Sequence, residues 1–359
     1  MFTAFVLLSA LTAQSPHAGG SPGAMPPEEV AAKEAVHLKN IRQVTYGFAK
    51  AGEGYFRPDG RAIIFQAVPN IAPSIFHELG DNETDYRIYT ADLAPDAVPK
   101  MVSTGKGACT CSYYAPDGKS ILFASTHLNP SPPSGPKGPA YSRTERYNWE
   151  FPKGMDIFRA DLDGGNLVRL TDADGYDAEG TYSPDGKQII FTSFRDGDGE
   201  IYVMDADGKH PRRITHAKGY DGGPFFSPDG KRIIYRSDRK DNDLLQLYIN
   251  NVEGTDERAL TDNDDVNWGP SFHPDSTHII YATSKHGHQN YELYLMNVDT
   301  GEEERITYAE GFDGLPVFSP DGKRLMWTSS GRTADRKSQL FIADFTLEPS
   351  PAPAPSASR

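Results

Sequence analysis

Cysteine is nearly absent from this 359-residue chain: Cys109 and Cys111 are the only two. Two cysteines cannot build the disulfide framework of a small secreted scaffold. Spaced i and i+2 on a strand, they share a face near the upper distance limit for a bridge. A strained disulfide, a metal-binding pair and two thiols beside a packed inner strand all fit that spacing. Basic charge is also scarce, with 36 Lys and Arg against 50 Asp and Glu. No cluster of Lys and Arg stands ready for a phosphate backbone, so nucleic acid is excluded as a partner. No apolar run is long enough to span a bilayer.

The apolar start, MFTAFVLLSALTA, reads as a secretory signal over residues 1–13, although its first residues carry no Lys or Arg. No Cys follows it to take a lipid. Export places the chain in the periplasm or outside the cell, with no membrane insertion. Residues 14–27 form a Pro/Gly/Ala linker, and 348–359 a Pro/Ala tail; neither has the apolar content to fold. The Pro start and acidic first turn of PEEVAAKEAVHLK predict a short helix over 28–40.

Repetition fills the remainder. Pro-Asp-Gly, or Pro-Asp-Ser, starts at Pro58, Pro116, Pro184, Pro228, Pro274 and Pro320, at intervals of 58, 68, 44, 46 and 46. A period in the mid-forties fits four-stranded propeller blades, and the two long intervals are that period plus loops. Each repeat places a β-branched and aromatic strand after the turn, as in KQIIFTS, then a second strand such as EIYVMD, then a short third such as RRIT. An all-β fold of six blades over 41–347 follows. The last repeat ends without its RRIT-like strand, and IRQVT at 41–45 supplies one. Pairing of 41–45 with the last blade would close the ring and remove its free edge.

The six copies of F/Y-S-P-D-G-K-x-I-I-F-x-S, followed by segments such as I-Y-V-M-D, resemble the TolB-like propeller repeats across nearly all of the folded chain. Similar repeats occur in propellers attached to serine peptidases and in oligogalacturonate-lyase-like propellers. The resemblance implies a six-bladed propeller. It does not imply a role in the Tol system, because the stretch ahead of the first strand is too short for the α/β domain that precedes TolB's propeller.

Aligning the repeats on their turns gives two columns in the segment entering each innermost strand, at the channel mouth. One reads Ala51, Cys109, Asp177, Asp221, Asn267, Asp313; the other, two residues later, reads Glu53, Cys111, Glu179, Gly223, Gly269, Leu315. Tyr176, Tyr220, Trp268 and Phe312 stand beside them. An acidic, aromatic-rimmed funnel would suit a cation, a basic peptide or a sugar. Alternatively, each Asp bonds amides of its own loop, as short acidic side chains do in turns. The binding candidates are Glu53, Asp177, Glu179, Asp221, Asn267, Trp268 and Asp313. A second candidate is the blade-two insertion, about residues 127–154, with Tyr141, Arg143, Arg146, Tyr147 and Trp149 of interface-favoured types. His286 and His288 give two ligands, fewer than a transition-metal site needs. GGSPG at 19–23 matches a nucleophile motif but lacks its strand–turn–helix setting. No catalytic set, metal or cofactor is assigned. The leading expectation is a monomeric, non-enzymatic scaffold that engages a protein or peptide. A metal-dependent glycan-active enzyme and a propeller serving a separate peptidase are the alternatives.

Overall fold

The computed structural model describes residues 25–70, 85–129, 151–240 and 244–348. They form six four-stranded antiparallel sheets arranged as the blades of a propeller, preceded by one helix, Pro27–Glu34. The innermost strands are Phe48–Phe56, Cys109–Tyr114, Asp177–Tyr182, Asp221–Phe226, Asn267–Phe272 and Asp313–Phe318. Chain order runs outward within each blade and then crosses to the centre of the next. Among the described residues, no helix is long and apolar enough to cross a membrane.

The turns follow from their residues. In all six, the Asp side chain accepts a hydrogen bond from the amide two residues later, from Asp59 and Arg61 to Asp321 and Lys323, at 2.9–3.1 Å. This short side chain bonding its own backbone fixes the turn. The Gly that follows adopts φ of 67–72°. Ser276 takes the same left-handed conformation, φ 62°, in the Pro-Asp-Ser copy.

Ring closure comes from the N-terminal segment. Leu38–Gln43 pairs antiparallel with Gln339–Phe345, Leu38 opposite Phe345 and Gln43 opposite Phe341. The strand lies earlier than 41–45, and the helix is shorter than 28–40, for one reason: the chain from Leu38 is already taken up by the last blade. The edge is irregular between Lys39 and Arg42, where Asn40 is left-handed. Beyond the strand, Thr45 Oγ1 accepts the Leu340 amide at 2.9 Å. The other five blades make the same bond, from Ile88, Ile157, Ile201, Leu247 and Leu293 to Ser103, Thr171, Thr215, Thr261 and Thr307. The Thr of IRQVT therefore does for blade six what the Thr of RRIT does for blade three. Apolar clusters fill the seams between neighbouring blades, including Ile63, Phe65 and Ala67 of blade one against Met326, Leu340 and Ile342 of blade six. No blade buries both faces alone.

Candidate functional site

Each innermost strand carries a bulge, and the bulge sorts the two columns. Register shifts fall at equivalent places in all six blades, such as between Ala178 and Thr181. At each, the second-column residue is left-handed: Glu53 (φ 45°), Cys111 (50°), Glu179 (60°), Gly223 (59°), Gly269 (59°) and Leu315 (52°). Gly holds this conformation freely, whereas an L side chain there costs about 1–2 kcal/mol. A bulge leaves one residue outside the ladder and re-aims its side chain.

The first column is buried in the blades. Asp177, Asp221, Asn267 and Asp313 are at most 1 % exposed. Asp177 pairs with Arg195 at 3.2 Å, Asp221 with Arg239 at 3.0 Å and Asp313 with Arg332 at 3.2 Å, each Arg from the loop after the second strand of the same blade. Asn267 bonds Gln246, Asn263 and the Asp265 carbonyl. Burial raises the pKa of the three Asp carboxyls, and the paired Arg pulls it back. In blade six the helix joins this set: Glu34 accepts two bonds from Arg332 and one from the Tyr308 amide. The aromatic neighbours pack between blades. Tyr176 meets Phe151 and Phe194, and Trp268 meets Tyr291 and Phe312. Cys109 is buried and Cys111 partly so, and both are free thiols.

The second column gathers a polar group from several blades. Glu179 Oε2 accepts the Gly223 amide at 2.7 Å and the Thr192 hydroxyl at 2.7 Å. The Tyr220 hydroxyl reaches both its oxygens at 2.8 and 2.9 Å, and Arg236 Nη2 reaches Oε1 at 2.6 Å. Two glycines make the room. A Cβ at 222 would collide with the Tyr220 ring, and one at 223 with the Arg236 guanidinium. Glu53 stands in the same channel, 3.3 Å from the Tyr55 hydroxyl, its amide bonded to Thr328 of blade six. Burial pushes its carboxyl up from 4.5 to about 7; Glu179 adds to the rise, while Cys111, Arg236 and Tyr55 oppose it. Burial also pushes the Cys111 thiol well above its ordinary value, with Glu53 and Glu179 adding to it.

Two residues further along the strands the channel is shut. Tyr55 of blade one touches Tyr113 of blade two and Phe225 of blade four, with centroids 5.1 and 5.9 Å apart. Tyr113 and Phe225 are 6.5 Å apart. Blades one and four face each other across the ring, so these rings bridge its middle. The polar group thus lies on the mouth side of an aromatic floor.

The candidates from sequence therefore divide. Glu53 and Glu179 meet in the channel. Asp177, Asp221, Asn267, Trp268 and Asp313 lie within or between blades. Tyr141, Arg143, Arg146, Tyr147 and Trp149 lie outside the described residues. Arg236, Tyr55, Tyr113, Phe225 and the Tyr220 hydroxyl were missed. Extending the turn alignment two residues would have shown the floor as Tyr55, Tyr113, Thr181, Phe225, Ser271 and Val317. Arg236 sits where the other blades place Gln66, Ala124, Thr192, Ala282 and Thr328.

Residues 241–347 match the TolB beta propeller domain family, and residues 149–246 match the Tricorn protease N-terminal beta propeller domain. A protein assigned as TolB in Agrobacterium tumefaciens superposes with a TM-score of 0.57 at 21 % identity, over 83 % of this chain and 91 % of that one. TolB from Acinetobacter baumannii gives 0.55 at 21 %, over 86 % of this chain and 66 % of its own. An oligogalacturonate lyase from Vibrio parahaemolyticus gives 0.51 at 11 %, over 85 % and 93 %. At these identities the likeness to solved structures is one of fold.

Proposed function

We propose that this chain, a propeller built from TolB-like repeats, is an exported, non-enzymatic binding protein that holds a protein or peptide partner at its channel mouth. One observation carries the reading. The polar side chains that the repeat does not require, Glu53, Glu179 and Arg236, gather at the mouth end of a channel whose middle is closed by Tyr55, Tyr113 and Phe225. A one-ended polar pocket is built to receive a group from outside rather than to conduct one. The blade-two insertion supports the same face. Ser125 and Asp156, between which it runs, pair with each other beside Cys109 at the mouth end. Its aromatic and basic residues would extend the contact. Export rests on the apolar run at 1–13.

The alternative, a metal-dependent glycan-active enzyme with acidic residues at the channel mouth, would be favoured by stoichiometric metal in the purified protein. Among the described residues, no group of three or more His, Cys, Asp or Glu side chains could hold a metal ion. The test is site-specific photocrosslinking in cells that make the protein. A crosslinker at Phe151 or Phe312, on the mouth side, is expected to trap a discrete partner, and one at Lys187, in a turn on the opposite face, is expected to trap none. Equal adducts from both faces, or none from the mouth, would overturn the reading.

A further inference from the structure

The channel pocket combines two features that point to one class of ligand. Its wall carries Glu53 and Glu179 but one guanidinium, Arg236, which is bound to Glu179. Glu53 has hydroxyl and thiol neighbours, Tyr55 and Cys111, and feels the Arg236 charge that it shares with Glu179. Its floor is aromatic, made of the partly exposed rings of Tyr55, Tyr113 and Phe225. Aromatic rings together with a carboxylate form the usual receptacle for an organic cation, because ring quadrupole and charge attract it together. Opposite the polar wall, Gly269 presents no side chain, and a Cβ there would still stand 3.5 Å from Leu315. Gly269 and Leu315 make that side of the channel apolar, a surface along which the stem of a Lys or Arg side chain can lie.

We propose that the channel is a receptor for one basic side chain, an arginine or lysine presented by the partner, with Glu53 as its counter-ion and Tyr55, Tyr113 and Phe225 as its floor. The inference rests on the partner-binding reading above. The titratable and charged groups facing Glu53 are Tyr55 on its own strand, Cys111 of blade two, Glu179 of blade three and Arg236 of blade four. Arg236 is bound to Glu179, and the carboxyl that burial raises toward neutral pH is that of Glu53. An entering cation compensates the ionised form, so Glu53 gives up its proton on binding. Burial raises that carboxyl from 4.5 to about 7. Below pH 7 the affinity for the cation should fall about tenfold per unit, and above it should level off.

The test is calorimetric titration of the full chain with N-acetyl-arginine amide, N-acetyl-lysine amide and the neutral isostere N-acetyl-citrulline amide. The expected result is saturable binding of a cationic probe at pH 8, roughly tenfold weaker at pH 6. Near one proton should be released at pH 6, read from buffers of different ionisation enthalpy, and citrulline amide should not bind. Glu53→Gln should remove both proton release and pH dependence. Tyr55→Leu, which keeps Glu53, should weaken binding but keep the proton release. Melting curves of both variants separate lost binding from lost folding. Citrulline amide binding as well as arginine amide, no binding by either cation, or Glu53→Gln binding unchanged with proton release intact would overturn the proposal. A mouth-side photocrosslink that survives such a result would leave the partner-binding reading standing and remove the basic side chain alone.

Discussion

Two rings of side chains stand two residues apart on the same six strands, and they do opposite things. Asp177, Asp221 and Asp313 turn into their own blades and meet Arg195, Arg239 and Arg332. Glu53, Cys111 and Glu179 sit at left-handed bulges in the channel wall, and their contacts cross between blades. The first ring repeats one Asp–Arg pair in blades three, four and six, with Asn267 in its place in blade five, because these blades share one local need. The second holds Glu, Cys, Glu, Gly, Gly and Leu, and it is asymmetric around the channel. Repetition marks structure here, and departure from repetition marks the pocket.

The largest expected effect is in the first ring. Arg332→Met would leave Glu34 and Asp313 as two buried carboxylates without their shared cation. A loss of about 3–5 kcal/mol in urea unfolding is expected. A loss below about 1 kcal/mol would place Arg332 among ordinary surface ion pairs.

Glu53 sets the opposite expectation. Its carboxyl is raised from 4.5 to about 7, so the folded state binds its proton more tightly than the unfolded chain does. That contribution is full below pH 4.5 and is lost as pH rises through 7, amounting to about 3 kcal/mol. Glu53→Gln should therefore flatten the fall in stability between pH 4.5 and 7. Any remaining fall toward pH 8 would come from Glu292 in blade five, which burial and Asp313 push up to about 8 against Arg305 and Thr307. An unchanged pH profile in Glu53→Gln would mean that the channel carboxyl is well solvated.

Thr45→Val tests the closure at intermediate size. It removes the acceptor of the Leu340 amide and the donor to Gln339. About 1–3 kcal/mol should be lost, read from urea unfolding, because a buried amide is left unpaired. Thr215→Val in blade three should cost a similar amount if the N-terminal strand is a true equivalent.

The smallest effect sharpens the second ring. Gly223 and Gly269 share φ 59° at the same bulge. Gly269→Ala brings a Cβ into ordinary contact with Leu315, 3.5 Å away, and should cost about 1 kcal/mol for the left-handed backbone. Gly223→Ala meets the same backbone cost and also displaces Arg236. Thermal melts should therefore separate the pair, with Gly223→Ala the worse.

Much of the fold was legible because turn chemistry is local. Asp-to-amide bonds and a left-handed Gly, replaced by Ser276 in one copy, depend on four consecutive residues, and the six copies display them. Closure was legible because IRQVT supplies the Thr that RRIT supplies elsewhere. The strand bounds were less so, since Lys39 and Asn40 belong to a strand only through their pairing with Phe345 and its neighbours. The site was half legible. Alignment placed Glu53 and Glu179 in one column, but it gave no sign that a bulge separates that column from the Asp ring. Arg236 was invisible as a partner because it lies 57 residues from Glu179 and meets it across a seam. Gly223 and Gly269 were the readable clue: two glycines sharing a column with Glu, Cys and Leu signal a backbone position that favours the left-handed region.

The most direct measurement is the titration of the Glu53 side-chain carboxyl by carbon-detected NMR, assigned with Glu53→Gln, in the free chain and with saturating N-acetyl-arginine amide. A one-ended channel that awaits a cation predicts a midpoint near 7 in the free chain, moving down when the probe binds. A midpoint near 4.5 in both would mean that Glu53 is an ordinary hydrated carboxylate and that the channel is not the receptor described.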